Sequence, residues 1–570
     1  MSPSVLKRIS ADPTLFPPTS IREQGVRRYP TSRGGLREIR WVDPNSVSAA
    51  RKAGTNENAN DQLFPLEVKA GLEPYSGTLD SRTARHLLRR TGFGASKNEV
   101  DAIVGSLASD AVDAIVDAAI NNPHPATPAW VATPMPPENA TAAEWDAYNT
   151  WTFERLDEFR IDWYKLMSQE GLREKLTLFW HDHFATSEDK YYHAQIAQRY
   201  IELLRTHALG NFKDFVRAIG LDVAMLVFLD GVENRKGAPN ENYARELCEL
   251  FTMGILDKNG NANYSQQDIT EIARSLTGYI VNRDFEVLYF DVIHDNDNKD
   301  VFGQVGNWGY DDVVDLVFTE RDQQTAWYIC KKLYQEFVYE VADEAIVQDL
   351  ADLFIANNFE IAPVIRTLLK SAHFFDAQVI GARITSPAEM MVRFLKEAGV
   401  AADEHFKLAF WASWGLEQVL TVVPSVNGWP RHRNWISTTT LPERWAICGW
   451  MLWESNEAPQ LDLIGMLSQL TDISNPHIAF KVAPAFVEHL FAIPIEELDI
   501  EEVSAGFAGD LTTHPIPQEI LDGPPYVLNL TKLFLNGVPW YEWSPYNTDL
   551  DWVLRLFLMQ IAQIPEFQLT

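Results

Sequence analysis

The chain lacks the short motifs that mark the most familiar enzyme classes. None of its 570 residues falls in a G-x-S-x-G, Walker A, G-x-G-x-x-G, H-E-x-x-H or EF-hand pattern. These absences exclude the common serine-hydrolase, nucleotide-binding and zinc-protease routes to activity. An enzyme with a less recognisable site remains open.

Cysteine is scarce, and long apolar runs are missing. Cys248, Cys330 and Cys448 lie far apart in apolar helical patterns and form no C-x-x-C pair. We therefore expect buried free thiols and neither a zinc-ribbon nor a redox motif. No stretch approaches about 18 apolar residues, and no apolar signal-peptide core is present. The chain as written is predicted to be soluble, without membrane insertion, and cytoplasmic because it lacks an export signal.

Positive charge is in short supply except near the N-terminus. The formal net charge is −31, and such a surface repels phosphate backbones, which argues against nucleic acid as a partner. Residues 1–55 differ, because they contain ten Lys and Arg and only four acidic residues, a net charge of +6. The net charge of the remaining chain is therefore −37. Residues 1–78 are rich in Pro, Gly, Ser, Asn and Arg, and we interpret them as an irregular basic arm.

Amphipathic helical patterns dominate the chain beyond the arm. Helices are expected from Tyr310 to about Ala398, and long ones earlier over 141–168, 170–185, 190–207, 211–228, 241–254 and 265–278. The prediction is a mainly α protein, with a single large, multi-helix bundle-like domain over 79–570.

Two stretches interrupt the helical pattern. An insertion at about 285–308 contains the run 287–290, Val-Leu-Tyr-Phe, whose β propensity predicts a small hairpin. A Trp/Pro-rich loop follows at about 423–440, with Arg431 and His432 between two tryptophans. This loop is either a binding lid or an ordinary connection held by its tryptophans.

Residues 239–254 carry the most informative polar pattern. At about 100° per residue, one arc of the predicted helix gathers Asn242, Arg245, Glu246 and Glu249. A solvent-facing surface with an ion pair between Arg245 and Glu249 would explain this arc. Alternatively these side chains point into a cleft, where paired carboxylates bind a metal or divide acid and base roles.

Two histidine segments are further candidates. In the Trp-His-Asp-His block that begins at Trp180, helical phase turns His183 inward, either as a core histidine bonded to a carbonyl or as a general base or metal ligand. His294, Asp295 and Lys299 lie in the non-helical insertion. They form either a polar turn or a group that orients an acid–base histidine or grips an anion.

Eight segments together resemble a bacterial family catalogued as domain of unknown function eighteen hundred. They are HLLRRTGFG (86–94), LFWHDHFATS (178–187), PNENYARELCELFTMGI (239–255), YSQQDITEIARSLTGY (264–279), HDNDNKDVFG (294–303), SPAEMMVRFLKEAG (386–399), VPSVNGWPRHRNWIS (423–437) and PEFQ (565–568). The NENYARE block and the helix after it are the most specific. The resemblance covers about residue 80 to the C-terminus.

The resemblance implies a helical protein without a settled activity. Family members are often exported and encoded beside a sulfatase-like partner, which implies extracellular work on polymers. This chain departs from the family in its missing export signal and long basic arm. It also has Asn296 and Asp297 where the family carries a glycine after His-Asp.

Two functions from different classes follow as expectations. The first is a metal-assisted or acid–base hydrolytic enzyme, with the 241–254 helix at its site and His183, Asn242, Arg245, Glu246, Glu249, Asp295 and Lys299 as catalytic candidates. A divalent metal would then be held by His183, Glu246 and His294. The alternative is a non-catalytic protein that binds a glycan or a partner protein. The size and acidity of the chain and its 18 tryptophans also suggest a helical toroid glycosidase, which the family resemblance disfavours.

Overall fold

The computed structural model describes residues 27–30, 36–39, 65–399, 403–453, 461–498 and 506–570. Arg27–Pro30 (β1) and Leu36–Ile39 (β2) pair as antiparallel strands, with Arg27 opposite Ile39. The remainder of the predicted arm up to residue 64 lies outside the described residues. From residue 65 the chain runs without helix until Ser81.

Helices make up most of the following 150 residues. They are Ser81–Arg90 (α1), Lys97–Ile103 (α2), Ala108–Asn121 (α3), Ala142–Gln169 (α4), Leu172–His183 (α5), Glu188–Tyr191 (α6), Ala194–His207 (α7), Phe212–Gly220 (α8) and Val223–Phe228 (α9). Local chemistry sets several of their starts. Thr141 and Glu144 form a capping box that satisfies the first amides of α4, as predicted for a helix beginning near residue 141.

The middle of the chain combines an unusual helix with two hairpins. Asn242–Glu246 (α10) continues directly into a π-helical turn, Leu247–Thr252, and Gln266–Ser275 (α11) follows. Tyr279–Val281 (β3) pairs with Val287–Tyr289 (β4), and Lys299–Val301 (β5) pairs with Gln304–Gly306 (β6), both antiparallel. The predicted β insertion is thus confirmed, as two small antiparallel pairs.

The C-terminal half is again helical. Its helices are Tyr310–Glu320 (α12), Asp322–Phe337 (α13), Glu344–Ala356 (α14), Ile361–Lys370 (α15), Pro387–Glu397 (α16), Asp403–Gly415 (α17), Thr440–Trp453 (α18), Leu463–Leu470 (α19), Ala479–Leu490 (α20), Gln518–Leu521 (α21), Pro525–Leu535 (α22) and Asp551–Ile561 (α23). The predicted mainly α fold is therefore confirmed. Within the described ranges, no helix is long and apolar enough to cross a membrane.

Buried apolar side chains form a packed core that runs from Leu79 to Phe567. Each fully buried Leu-sized side chain contributes about 1.5–3 kcal/mol. On α5, Trp180 is wholly buried, and its ring lies 5.6 Å from that of Phe212 and 5.4 Å from that of Phe215. This packing fixes the helix that carries the Trp-His-Asp-His block. The predicted boundary at residue 79 stays a prediction, whereas the three cysteines are buried and free, as expected.

Candidate functional site

The polar arc of the 241–254 segment lies on the partly exposed side of α10. Asn242, Arg245, Glu246 and Glu249 are half-buried, and the segment's Tyr243, Ala244, Leu247, Cys248 and Phe251 are buried. The loop before α10 helps to start the helix, because the Asn240 side-chain oxygen accepts from the backbone N–H of Asn242 at 2.9 Å. We call the four half-buried residues, Asn242, Arg245, Glu246 and Glu249, the α10 face.

The helix differs from the regular α-helix that the sequence predicts. After Glu246 the chain winds into a π turn, in which the Met253 N–H donates to the Cys248 carbonyl at 3.3 Å and the Thr252 hydroxyl donates to the Leu247 carbonyl at 2.5 Å. Gly254 then ends the segment with a φ of +75°, as a glycine at a helix end often does. Single π turns occur mostly inside α-helices and frequently at functional sites.

Arg245 is held by neighbouring side chains on the surface. Its Nη2 donates to Glu241 at 3.0 Å and to the Gln266 side-chain oxygen at 3.1 Å, and its Nη1 lies 3.7 Å from Glu249. The guanidinium therefore ties α10 to α11. Such solvent-accessible pairs contribute about 0.2–1 kcal/mol each.

Glu246 and Glu249, one turn apart, have different surroundings. The Glu246 carboxyl group makes no hydrogen bond or ion pair with any residue in the described part of the chain. Burial, together with the nearby charge of Glu249, raises the pKa of Glu246 to about 7. Glu249 instead accepts a hydrogen bond from the Tyr264 hydroxyl at 2.6 Å and faces Arg245. Glu246 thus holds a proton near neutral pH and has no bonded partner, while Glu249 has two neighbouring polar groups.

His183 is buried, and both of its ring nitrogens are engaged. Its Nε2 lies 3.0 Å from the Phe251 carbonyl, which requires an N–H there, so Nδ1 accepts from Lys332 Nζ at 3.1 Å. Burial and the positive charge of Lys332 hold the pKa of His183 well below its usual range. The ring joins the end of α5 to the π turn, which is the core-histidine interpretation.

The polar side chains of the 294–299 segment bond to the end of α11 and to the residues just after it. The His294 Nδ1 lies 2.7 Å from the Thr277 carbonyl, and Asp295 accepts from Arg274 Nε at 2.8 Å. Although burial opposes it, hydrogen bonding from Arg274 lowers the pKa of Asp295. These contacts fasten the second hairpin to α11.

Lys299 completes this structural group. Its Nζ donates to the carbonyl of Asp295, to the carbonyl of Trp308 at 2.8 Å and to the side-chain oxygen of Asn307 at 3.2 Å. The residue is only 1% exposed. Burial lowers the pKa of Lys299, although Asp295 acts in the opposite direction. Three oxygen acceptors therefore surround the amine.

The catalytic candidates thus have separate sets of hydrogen-bond partners. The hydrogen bonds and ion pairs that the structure gives His294, Asp295 and Lys299 do not reach the α10 face. Within the described ranges, no group of three or more His, Cys, Asp or Glu side chains could hold a metal ion. The suggested metal set of His183, Glu246 and His294 stays a prediction; both ring nitrogens of His183 have hydrogen-bond partners in this structure.

A second cluster was not predicted as a site. A cleft of about 590 Å³, part of it open to solvent, lies between α5, α13, the start of α16 and the Trp/Pro-rich loop. Its charged residues come from distant parts of the chain, and we call it the charged cleft: Lys175, Asp182, Lys332, Glu336, Arg383, Glu389 and Arg431.

Asp182 anchors the Trp/Pro-rich loop over this cleft. It accepts from the Trp429 N–H at 2.6 Å and from Arg431 Nε at 2.6 Å. Burial raises the pKa of Asp182, and Arg431 opposes that rise. A Cβ at Gly428, which has a φ of +88°, would lie 2.2 Å from an Asp182 oxygen, so this approach requires glycine.

The other charges of the cleft form a buried network. Arg383 donates to Glu336 at 2.9 Å and to Glu389 at 2.8 Å, and Lys175 pairs with both carboxylates. Burial and the charge of Arg383 lower the pKa of Lys175 to about 7. Each carboxylate of this network therefore has two basic partners.

Tyr328 lies between the charged cleft and the α10 face. Lys332 Nζ is 4.8 Å from the centre of its ring. Burial raises the pKa of Tyr328 to about 12, with Arg431 acting against the rise and both Glu246 and Glu249 adding to it. The two regions are therefore electrostatic neighbours across one aromatic ring.

Sequence signals for this cleft were partial. Asp182 stands inside the Trp-His-Asp-His block, and Arg431 stands in the loop that was interpreted as a lid or a connection. Lys332 and Glu336, spaced i, i+4 on α13, look like an ordinary helix-surface pair. Only the tertiary fold brings them to Asp182.

No curated protein and no solved structure matches the chain. The profile of the family described as "Protein of unknown function (DUF1800)" matches residues 86–568. That range includes α10 and every charged residue of the charged cleft. The resemblance seen in the sequence is thereby confirmed, and the chain belongs to the DUF1800 family of proteins of unknown function.

Proposed function

We propose that the protein is an acid–base hydrolytic enzyme whose reacting groups are Glu246 and Glu249. The observation that carries this proposal is the contrast between the two carboxyl groups. Glu246 is partnerless and has a pKa of about 7, whereas Glu249 is held by Tyr264 and Arg245. Two carboxyl groups in divergent environments are the usual basis for dividing acid and base roles.

In this mechanism Glu246 is the general acid. Its protonated carboxyl donates a proton to the leaving-group oxygen, and Glu249 accepts a proton from the attacking water. The Tyr264 hydroxyl and Arg245 hold Glu249 as an acceptor. The metal-assisted form of the hypothesis has less support, because the described side chains offer no three-ligand group.

The test is hydrolysis of a panel of nitrophenyl glycosides, acetates, phosphates and sulfates. Glu246→Gln is expected to lower kcat by about 100-fold or more, and Glu249→Gln by a comparable factor. Glu344→Gln, at an exposed position in the first turn of α14, is the matched control and should leave the rate unchanged.

The pH dependence adds a second criterion. Because the acid must be protonated, the wild-type rate should fall as the pH rises above about 7, and this limb should disappear in Glu246→Gln. A substrate that wild type and Glu246→Gln hydrolyse equally fast would contradict the proposal.

The charged cleft supports a second candidate, non-catalytic binding of a glycan. Trp429 lines the cleft, and its indole Nε1–H is buried without a hydrogen-bond partner in the described residues. An aromatic ring with a free donor beside charged groups suits a sugar hydroxyl. Titration of tryptophan fluorescence with acidic and neutral oligosaccharides would test this, and Arg431→Gln should weaken any binding.

The sulfatase-like partner that the family resemblance implies also stays a proposal. Co-expression of the two chains followed by size-exclusion chromatography would test it. Co-elution that survives in moderate salt is expected, and separate elution would argue against a stable complex.

A further inference from the structure

A second cleft, remote in sequence from α10, lies between α1 and residues 491–496. Its space amounts to about 650 Å³ when the part open to solvent is included. Arg82, Arg85 and His86 of α1 line its basic wall, and Phe491 and Pro494 belong to its apolar wall. We call it the arginine cleft.

The arginines of this cleft differ in their partners. Arg89 forms a two-pronged ion pair with Glu397, at 2.7 and 2.9 Å, and also donates to the His489 carbonyl. By contrast, neither the Arg82 nor the Arg85 guanidinium has a hydrogen bond or ion pair with any described residue. Both side chains are half-buried, and guanidinium groups in such places commonly pair with a carboxylate, a phosphate or carbonyl oxygens.

Buried polar atoms of the lining are also without partners. They are Nε of Arg82, Nδ1 of His86 and the hydroxyl oxygen of Thr570. His86 is only 3% exposed, and its Nε2 lies 3.0 Å from the Phe374 carbonyl, so its Nδ1 is an unused acceptor. Thr570 is 4% exposed. Buried polar atoms are nearly always satisfied, by protein, water or ligand.

The charges of the cleft suit a ligand with one negative charge better than one with two. Glu397 pairs with Arg89 and lies 3.5 Å from Arg393, so the lining keeps two cations without ion pairs, Arg82 and Arg85, and two carboxylates, Glu488 and Glu496. Asp80 adds one further negative charge, but its carboxylate caps α1 through the N–H groups of Arg82 and Thr83. Glu488 and Glu496 are exposed, so water screens them more than it screens the half-buried Arg85.

We propose that the arginine cleft binds a small monocarboxylate with an apolar body. The carboxylate would lie against Arg82 and Arg85, and the body against Phe491 and Pro494. The buried acceptor of His86 suits a hydroxyl or N–H donor on the same ligand. This site is independent of the proposed hydrolytic function.

The test uses 3-phenylpropanoate as the probe in calorimetric titrations of the full chain. We expect a dissociation constant in the millimolar to sub-millimolar range, which is ordinary for a ligand of this size. The neutral analogue 3-phenylpropan-1-ol should bind at least about tenfold more weakly, because it cannot form charge-assisted hydrogen bonds.

Arg85→Gln and Arg82→Gln should each weaken the carboxylate about tenfold or more, with little effect on the alcohol. Arg199→Gln, on the exposed side of α7, is the matched control and should leave binding unchanged. Arg85→Gln should fold normally, because it removes a half-buried cation that has no partner; a matched melting temperature would establish this.

Four outcomes would contradict the proposal or its choice of ligand. Equal binding of acid and alcohol, equal binding by wild type and folded Arg85→Gln, or no detectable heat with the carboxylate would overturn the proposal. Tighter binding of phenyl phosphate than of the carboxylate would overturn the assignment of a monocarboxylate.

Discussion

The α10 face and the 294–299 segment contain the same kinds of side chain under opposite conditions. Each has a basic residue beside carboxylates, and the sequence alone makes both candidate sites. In the 294–299 segment, Lys299 is 1% exposed and meets three oxygen acceptors. On the α10 face, Glu246 is half-buried and meets no partner in the described chain.

This difference separates structural polar groups from groups available for chemistry. A buried polar network with every partner in place stabilises one conformation. A half-buried carboxyl without partners lowers stability and keeps its proton available. Substitutions of the polar side chains in the 294–299 segment should therefore lower the free energy of unfolding. Substitutions on the α10 face should change it little or even raise it.

The largest effect is expected for Lys299→Met. The variant leaves the carbonyls of Asp295 and Trp308 and the amide oxygen of Asn307 without their donor. We expect a loss of about 3 kcal/mol in the free energy of unfolding, measured by denaturant titration. Lys258→Met, at an exposed position, should change it by less than about 0.5 kcal/mol. Equal effects of both variants would remove the distinction.

Asp295→Asn should have the next largest effect. It weakens the bond from Arg274 and removes the charge that balances Arg274 and Lys299, a loss of about 1–2 kcal/mol. Because the pKa of Asp295 is lowered on folding, its charge stabilises the protein above the ordinary pKa of 3.8. That stabilisation is lost as the pH falls through the folded-state pKa, so the gap between wild type and variant should close in acid. A gap that widens in acid would contradict this assignment.

Local patterns predicted most of the fold. The start of the helix predicted over 265–278 is confirmed, since Ser265 and Asp268, only three residues apart, form a capping box there. The π turn after Glu246 could not be predicted, because its apolar pattern also fits an α-helix. The Phe251 carbonyl of this turn is hydrogen-bonded to His183, which lies 68 residues away in the chain.

Candidate sites were harder to predict than helices, for the same reason. Lys299 is paired because Trp308 and Asn307 supply acceptors, and the sequence alone does not show that the fold brings these acceptors to its amine. Asp182 and Arg431 form an ion pair across 249 residues. No spacing rule along the chain connects such residues.

Glu246→Gln should show a smaller effect that depends on pH. The folded-state pKa of about 7 exceeds the ordinary 4.5, so unfolded chains lose this proton first as the pH rises. Wild-type stability should therefore fall between about pH 4.5 and 7 relative to the variant. Allowing for solvent screening, we expect the free energy of unfolding of Glu246→Gln, measured relative to wild type, to be about 1 kcal/mol higher at pH 8 than at pH 4. Denaturant titrations at both pH values check this, and a pH-independent difference would show that Glu246 has an ordinary pKa.

The smallest effect is expected for Arg245→Gln. Its partners Glu241, Gln266 and Glu249 are solvent-accessible, and such pairs contribute little in water. We expect a change below about 0.5 kcal/mol in the free energy of unfolding, shrinking further in high salt because screening weakens exposed charges. Arg274→Gln, whose partners are Asp295 and Glu271, is the matched control and should cost more. If Arg245→Gln proved the more damaging of the two, the α10 face would be a structural network, and the contrast with the 294–299 segment would not hold.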